Sequence, residues 1–167
     1  MGTILLSCSH QNPEKMTEIK SAAIINDVKR FFDTMTVYSE NAHLQAFLNC
    51  YDDSPDFLAF SSDGVMRNYD ELKKICSVYY TDLKHQSIRT IHEKFRVLDT
   101  NLVMVGWNGN IIAAFKNGDT MKMNNYSITY LFKKINNNWK VIHSHESSLP
   151  PEIIKKRTNI DEQQTAR

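Results

Sequence analysis

Ile128-Thr129-Tyr130-Leu131-Phe132-Lys133-Lys134-Ile135, then Asn136-Asn137-Asn138, then Trp139-Lys140-Val141-Ile142-His143-Ser144-His145-Glu146-Ser147 is the stretch that decides the fold. Both arms are rich in β-branched and aromatic residues, which suit a pleated, half-buried surface, and neither carries a helical repeat. The asparagines between them tolerate the left-handed backbone of a tight hairpin turn. Read backward, the pattern recurs. Extended segments fall at residues 86–98, 101–116, 121–135 and 139–148, separated by Asp99-Thr100-Asn101, Asn117-Gly118-Asp119 and the asparagine triplet. Hairpin turns in series predict an antiparallel meander. Strands this long must bend, and Gly106 and Gly109 are where bulges are expected to absorb the curvature.

Ahead of the sheet the period is helical. Ala22, Ile25, Val28, Phe32 and Met35, flanked by Ile24, Phe31 and Tyr38, predict an amphipathic helix over residues 13–38, with Asn12 as N-cap and Pro13 in its first turn. Leu44, Phe47, Leu48 and Tyr51 mark a shorter helix that Asp52-Asp53-Ser54-Pro55 breaks. Residues 56–61 read as a short strand and Ser62-Asp63-Gly64 as its turn. Asn68 with Glu71 forms a capping box for a third helix, whose buried stripe is Leu72, Ile75, Cys76, Tyr79 and Leu83. Three helices followed by a curved antiparallel sheet is an α+β order. A sheet wrapped over a long helix closes into a cone with a concave interior. Pro150-Pro151 ends the sheet. The division is a disordered N-terminus over residues 1–12, one domain over 13–150 and a polar tail over 151–167.

The totals are those of one globular domain: 167 residues, 41% hydrophobic and 23% charged. Twenty basic and 19 acidic residues, scattered along the chain, leave a net charge of +1 with no basic stripe, so nucleic acid is not an expected partner. No apolar run is long enough to span a bilayer. Cys50 and Cys76 fall on apolar helix sides and read as small buried hydrophobes. Ile4-Leu5-Leu6-Ser7-Cys8 is similar to the end of a bacterial lipoprotein signal, in which the cysteine is acylated. That resemblance implies a lipid on Cys8 and a place in the cell envelope. Without it the start reads as a disordered terminus of a cytoplasmic protein, and the two readings stand side by side.

The closing hairpin resembles that of SnoaL-like domains of the nuclear-transport-factor-2-like (NTF2-like) superfamily: a strand ending in paired basic residues, a tight turn, then Trp-x-x-x-His-x-His-x-Ser. It is similar also to the association domain of calcium/calmodulin-dependent kinase II, which continues to a proline as Pro150 does here. The segment Asp56-Phe57-Leu58-Ala59-Phe60-Ser61-Ser62-Asp63-Gly64 resembles the first strand and turn of the same superfamily. The resemblance implies an NTF2-like (cystatin-like) cone, a homodimer formed through the outer sheet face, and a pocket inside the cone. Two pocket arginines of the kinase domain fall on Glu146 and Tyr130 in this chain. A carboxylate and a phenol there suit a neutral or cationic small molecule.

Alternation places Ile142, Ser144 and Glu146 on one face of the last strand, and Val141, His143, His145 and Ser147 on the other. The resemblance sets the first group inside. Candidate ligand-binding residues are therefore Tyr130, Glu146, Ser144 and Phe32, with Trp107 near the mouth. Glu146 has two readings: a desolvated acid or base with a raised pKa, or a solvated strand-end carboxylate. His143 and His145 have a spacing zinc sites use, with His85 or His92 as third ligands; the expectation is an outward pair and no metal. Trp139 reads as a core anchor. Ketosteroid isomerases, which share the fold, carry a catalytic Asp on the first strand. This chain has Phe57-Leu58-Ala59-Phe60 there. No nucleophile elbow, phosphate loop or dinucleotide fingerprint occurs, so no cofactor is expected. Two functions stay in contention: a non-catalytic binding or assembly domain, and a cofactor-independent isomerase, cyclase or dehydratase using Glu146 and Tyr130, with His92 as a further candidate.

Overall fold

The structure, a computed structural model, describes residues 17–156. Asn12-Pro13, Cys8 and the end of the polar tail lie outside the described residues. Helix α1 (Glu18–Glu40) begins behind Thr17, whose hydroxyl accepts the Lys20 backbone N–H at 3.3 Å. Val28, Phe32 and Met35 are its buried stripe, as the period requires, and Ser39 extends that stripe by one turn. Helix α2 (Leu44–Leu48) is short. Helix α3 (Tyr69–Asp82) opens on the expected reciprocal capping box, Asn68 with Glu71. Its end differs from the sequence reading: Leu83 adopts an extended backbone and starts a strand directly, with no loop.

Strands β1 (Leu58–Phe60) and β2 (Met66–Arg67) form a small hairpin around the turn that carries Gly64, whose φ is 77°. The long strands are β3 (Leu83–Asp99), β4 (Leu102–Phe115), β5 (Thr120–Ile135) and β6 (Asn138–Ser147), joined as an antiparallel meander. Asn136 and Asn137 take positive φ in the last turn, the conformation that makes asparagine useful there. The sheet order is β2-β1-β6-β5-β4-β3, with β1 parallel to β6. The tail is not wholly unstructured: β7 (Glu152–Ile154) pairs with β5 over Thr120–Lys122, beyond the point where β6 leaves that edge.

Bulges set which residues face inward. One falls on β4 and β5 between Gly109 and Ile111, opposite Asn125 with its φ of 54°. Gly106 pairs regularly with Thr129. A second bulge changes the parity of β6. Leu131 pairs with His143 but Phe132 pairs with Val141, so Ile142 is the extra residue. Val141 therefore lies in the core, fully buried, and not on the outer face that strict alternation assigns to it. Beyond the bulge, Ser144 is buried and His145 exposed, the parity expected for that half.

Gly109 is needed where it stands. A Cβ there would fall on the Arg89 carbonyl oxygen and on the indole of Trp107, two residues back on the same face. Gly109→Ala is expected to cost about 1–3 kcal/mol by overpacking, read as a lowered urea midpoint with unchanged m-value.

Candidate functional site

The core packs α1 against the concave side of the sheet. Phe32 meets Phe95, Tyr130 and Phe132 edge-on at 5.8–6.3 Å between ring centres. This packing does not fill the cone. A cavity of about 460 Å³ remains, walled by Phe32 and Met35 of α1, Leu72 and Ile75 of α3, and Trp107, Ile111, Ile128 and Tyr130 of the sheet.

Of the residues singled out from sequence, Phe32, Trp107, Tyr130 and Glu146 line this cavity. Ser144 pairs with Tyr130 and is 2% exposed, but it is not part of the cavity wall. His143 binds the Leu58 carbonyl oxygen through Nδ1 at 3.0 Å, and His145 is exposed beside Phe60. His85 and His92 are exposed on β3. Among the described residues no three His, Cys, Asp or Glu side chains gather as a metal site. No histidine among the described residues belongs to the cavity wall.

Glu146 is held in a polar corner built from three elements. The Tyr126 hydroxyl, four residues before Tyr130 on the same face of β5, donates to Glu146 Oε2 at 2.6 Å. The Ser62 backbone N–H, from the turn after β1, also favours the carboxylate. Arg67 of β2 lies close enough to lower the Glu146 pKa, yet its guanidinium is engaged by Asp63 at 2.6 and 2.9 Å. Desolvation outweighs these contacts, and burial holds the Glu146 carboxyl above the ordinary range. The solvated strand-end reading does not hold. Burial also pushes the Tyr130 and Tyr126 phenols far up, and the Glu146 charge pushes each further, so both stay neutral. The Cys76 thiol, also on the wall, is pushed up to about 12 by burial, which leaves it unreactive as a thiolate at neutral pH.

The partner of Glu146 is thus Tyr126, not the Tyr130 paired with it in the sequence reading. Parity was the available signal, since Tyr126, Ile128 and Tyr130 share one strand face. A second polar group also went unread. Gln86 of β3 is 6% exposed, donates to the Ser39 hydroxyl at 2.7 Å and to the Ser39 carbonyl at 3.2 Å, and accepts from the Tyr79 hydroxyl at 2.6 Å. Ser39 and Tyr80 share a further hydrogen bond at 2.9 Å. All four side chains reach the cavity. The signal was polar residues on faces otherwise apolar: Ser39 one turn beyond Met35, and Gln86 at an inward position of its strand.

Asp27, midway along α1, ties the signature hairpin to the helix. It accepts from the Trp139 indole N–H at 2.8 Å and from Lys134 at 3.2 Å, and Lys134 lies over the Trp139 ring at 5.5 Å. The Trp139 bond leads the influences that lower the Asp27 pKa.

A helical layer on a curved, mostly antiparallel sheet with a cavity between them defines an NTF2-like α+β cone. The chain belongs to the SnoaL-like domain family, whose model matches residues 28–151. Solved structures agree on the fold. A candidate scytalone dehydratase from Novosphingobium aromaticivorans superposes with a TM-score of 0.70 at 10% identity, covering 85% of this chain and 95% of that one. An NTF2-like superfamily protein from Salmonella enterica gives 0.67 at 13% identity, covering 83% and 97%. The association domain of C. elegans CaMKII gives 0.61 at 13% identity, covering 78% and 99%. Identities this low carry the fold alone. No curated protein matches the chain in sequence.

Proposed function

We propose that this domain binds a small, largely apolar molecule inside the cone without transforming it. The observation that carries this reading is the cavity itself. Its volume of about 460 Å³ falls within the span of known ligand sites, roughly 300–1,000 Å³. Its wall is mainly aliphatic and aromatic, with few polar groups to orient a guest. Acid–base catalysis normally needs a base and an acid placed on either side of a reacting atom. Here the desolvated carboxyl, Glu146, is bonded to a phenol that burial keeps neutral, and the Asp63 carboxylate is engaged by Arg67.

The second reading, an isomerase or dehydratase working through Glu146, is supported by the raised pKa of that carboxyl and by the name of one structural neighbour. The test uses Nile red, a neutral apolar dye, followed by small ketones as competitors. Saturable one-to-one binding that Trp107→Arg abolishes is expected. In deuterated water, bound ketones are expected to keep their α-hydrogens. Exchange that Glu146→Gln removes would establish the acid–base reading instead.

The same proposal includes a homodimer through the outer sheet face, where Met104, Leu131, Phe60 and His143 are half-buried and Ile112 and His145 are exposed. One structural neighbour is itself an association domain. Light scattering at tens of micromolar is expected to give twice the chain mass, because a standard-size interface persists at that concentration. A monomer there would remove the dimer from the proposal.

A further inference from the structure

The two polar groups of the cavity sit far apart on the sheet. Glu146 pairs with Ile128, which pairs with Trp107 of β4. Gln86 pairs with Ala113, six residues further along β4, or about 20 Å of strand path at roughly 3.3 Å per residue. Between them the wall is mainly apolar, with Phe32, Met35, Leu72, Ile111 and Ile128, and the Tyr51 hydroxyl there is taken up by Tyr130. The cavity has two polar ends and a greasy middle.

Hydrogen counting gives the far end a definite character. The Ser39 carbonyl can only accept, so the Gln86 amide nitrogen must face it, and Gln86 Oε1 must accept from Tyr79. The two amide hydrogens are then used, on the Ser39 carbonyl and the Ser39 hydroxyl oxygen. Ser39 and Tyr80 bring two O–H hydrogens to the single bond between them. One hydrogen is left over. Among the described residues neither hydroxyl has a further acceptor, although Ser39 is 8% and Tyr80 7% exposed. A buried donor with no acceptor costs free energy that an acceptor on a guest would recover. At the near end Glu146 has the opposite character. Tyr126 occupies one site on Oε2 and the Ser62 N–H a second, and the two carboxylate oxygens retain further acceptor capacity.

From this pattern we infer that the cavity selects an elongated molecule with a carbonyl oxygen at one end, which accepts from the Ser39–Tyr80 hydroxyl pair, and a hydroxyl group at the other, which donates to Glu146. This rests on the binding function proposed above and names its ligand class.

The probes are a matched set: 4-(4-hydroxyphenyl)butan-2-one, with both polar ends; 4-phenylbutan-2-one, lacking the hydroxyl; 4-butylphenol, lacking the carbonyl; and butylbenzene, lacking both. Homologues of the first with hexan-2-one and octan-2-one arms set the span. Affinities are read by Nile red displacement and calorimetry on the full chain. At the best arm length, the two-ended compound is expected to bind about five- to tenfold more tightly than either one-ended analogue. Ser39→Ala combined with Tyr80→Phe, which removes both hydroxyl hydrogens, is expected to erase the advantage of the carbonyl and keep that of the hydroxyl; Glu146→Leu is expected to do the reverse. Thermal melts check that both proteins fold, and where one does not, the four-compound comparison on the unaltered chain decides. If all four compounds bind equally at every arm length, the two-ended selectivity is wrong while the binding cavity stands. If neither Nile red nor any probe binds, the binding function fails and the inference with it.

Discussion

Trp139→Ala is expected to remove about 3–5 kcal/mol of folding stability, the usual cost of deleting a buried aromatic side chain. Domains of this size have about 5–15 kcal/mol in total, so the variant should melt far below the wild type. Two losses combine. The indole, 5% exposed, leaves a void in the core beside Val141 and Phe132. Asp27 also loses its closest donor and keeps Lys134 and Arg30. Trp139→Phe separates them, since it keeps most of the packing and removes the N–H. Its expected cost is about 1–2 kcal/mol. A double-mutant cycle with Asp27→Ala should return a coupling of about 1 kcal/mol. The figure is held low because the Asp27 side chain is 38% exposed and its charge interactions are screened. Urea denaturation measures all four corners. A loss below 1 kcal/mol for Trp139→Ala would show that the signature tryptophan does not anchor the fold.

That role explains why the fold was legible and the site much less so. The recognisable residues Trp139 and Lys134 form the strut between the closing hairpin and α1. They report architecture, which a period of two and a period of 3.6 also report. The cavity is made instead by residues with no fixed spacing between them. Tyr126 meets Glu146 because two strands align in one register, and Gln86 meets Ser39 across 47 positions of sequence. Strict alternation puts Glu146 on the face that lines the cavity but puts Val141 outside, because a bulge at Ile142 inserts one residue and exchanges the faces beyond it. No glycine marks that bulge. Gly106, one of the two glycines expected to mark curvature, lies in regular pairing, while beside Gly109 the extra residue falls on β5, where Asn124 and Asn125 oppose the single Asn110. The direct passage from α3 to β3 was missed for a related reason. Leu83 satisfies the apolar period of the helix and of the strand alike, and tertiary pairing with Phe115 decides between them.

The pH dependence of stability should divide into two opposite limbs, and Glu146→Gln should remove one of them. Asp27 has a lowered pKa, led by its bond from Trp139. Its contribution is therefore complete above the unfolded carboxylate value and is lost as pH falls through its folded value. Glu146 has a raised pKa because burial disfavours its charge, even with Tyr126 and the Ser62 N–H opposing that effect. The folded state then holds the Glu146 proton more tightly than the unfolded chain does. Stability is fully retained below the unfolded value, near 4.3, and declines as pH rises toward the raised folded value. The slope in that window is bounded by about 1.4 kcal/mol per pH unit, the linkage limit for one proton. Glutamine keeps an oxygen to accept from Tyr126 and cannot ionise. Glu146→Gln should therefore show a flat profile across the window, match or exceed the wild type at pH 7–8, and leave the acid limb unchanged. Paired urea titrations from pH 3 to 8 make the comparison. Parallel curves for the two proteins would mean that Glu146 ionises as it does in water, and that the corner it shares with Tyr126 is open to solvent.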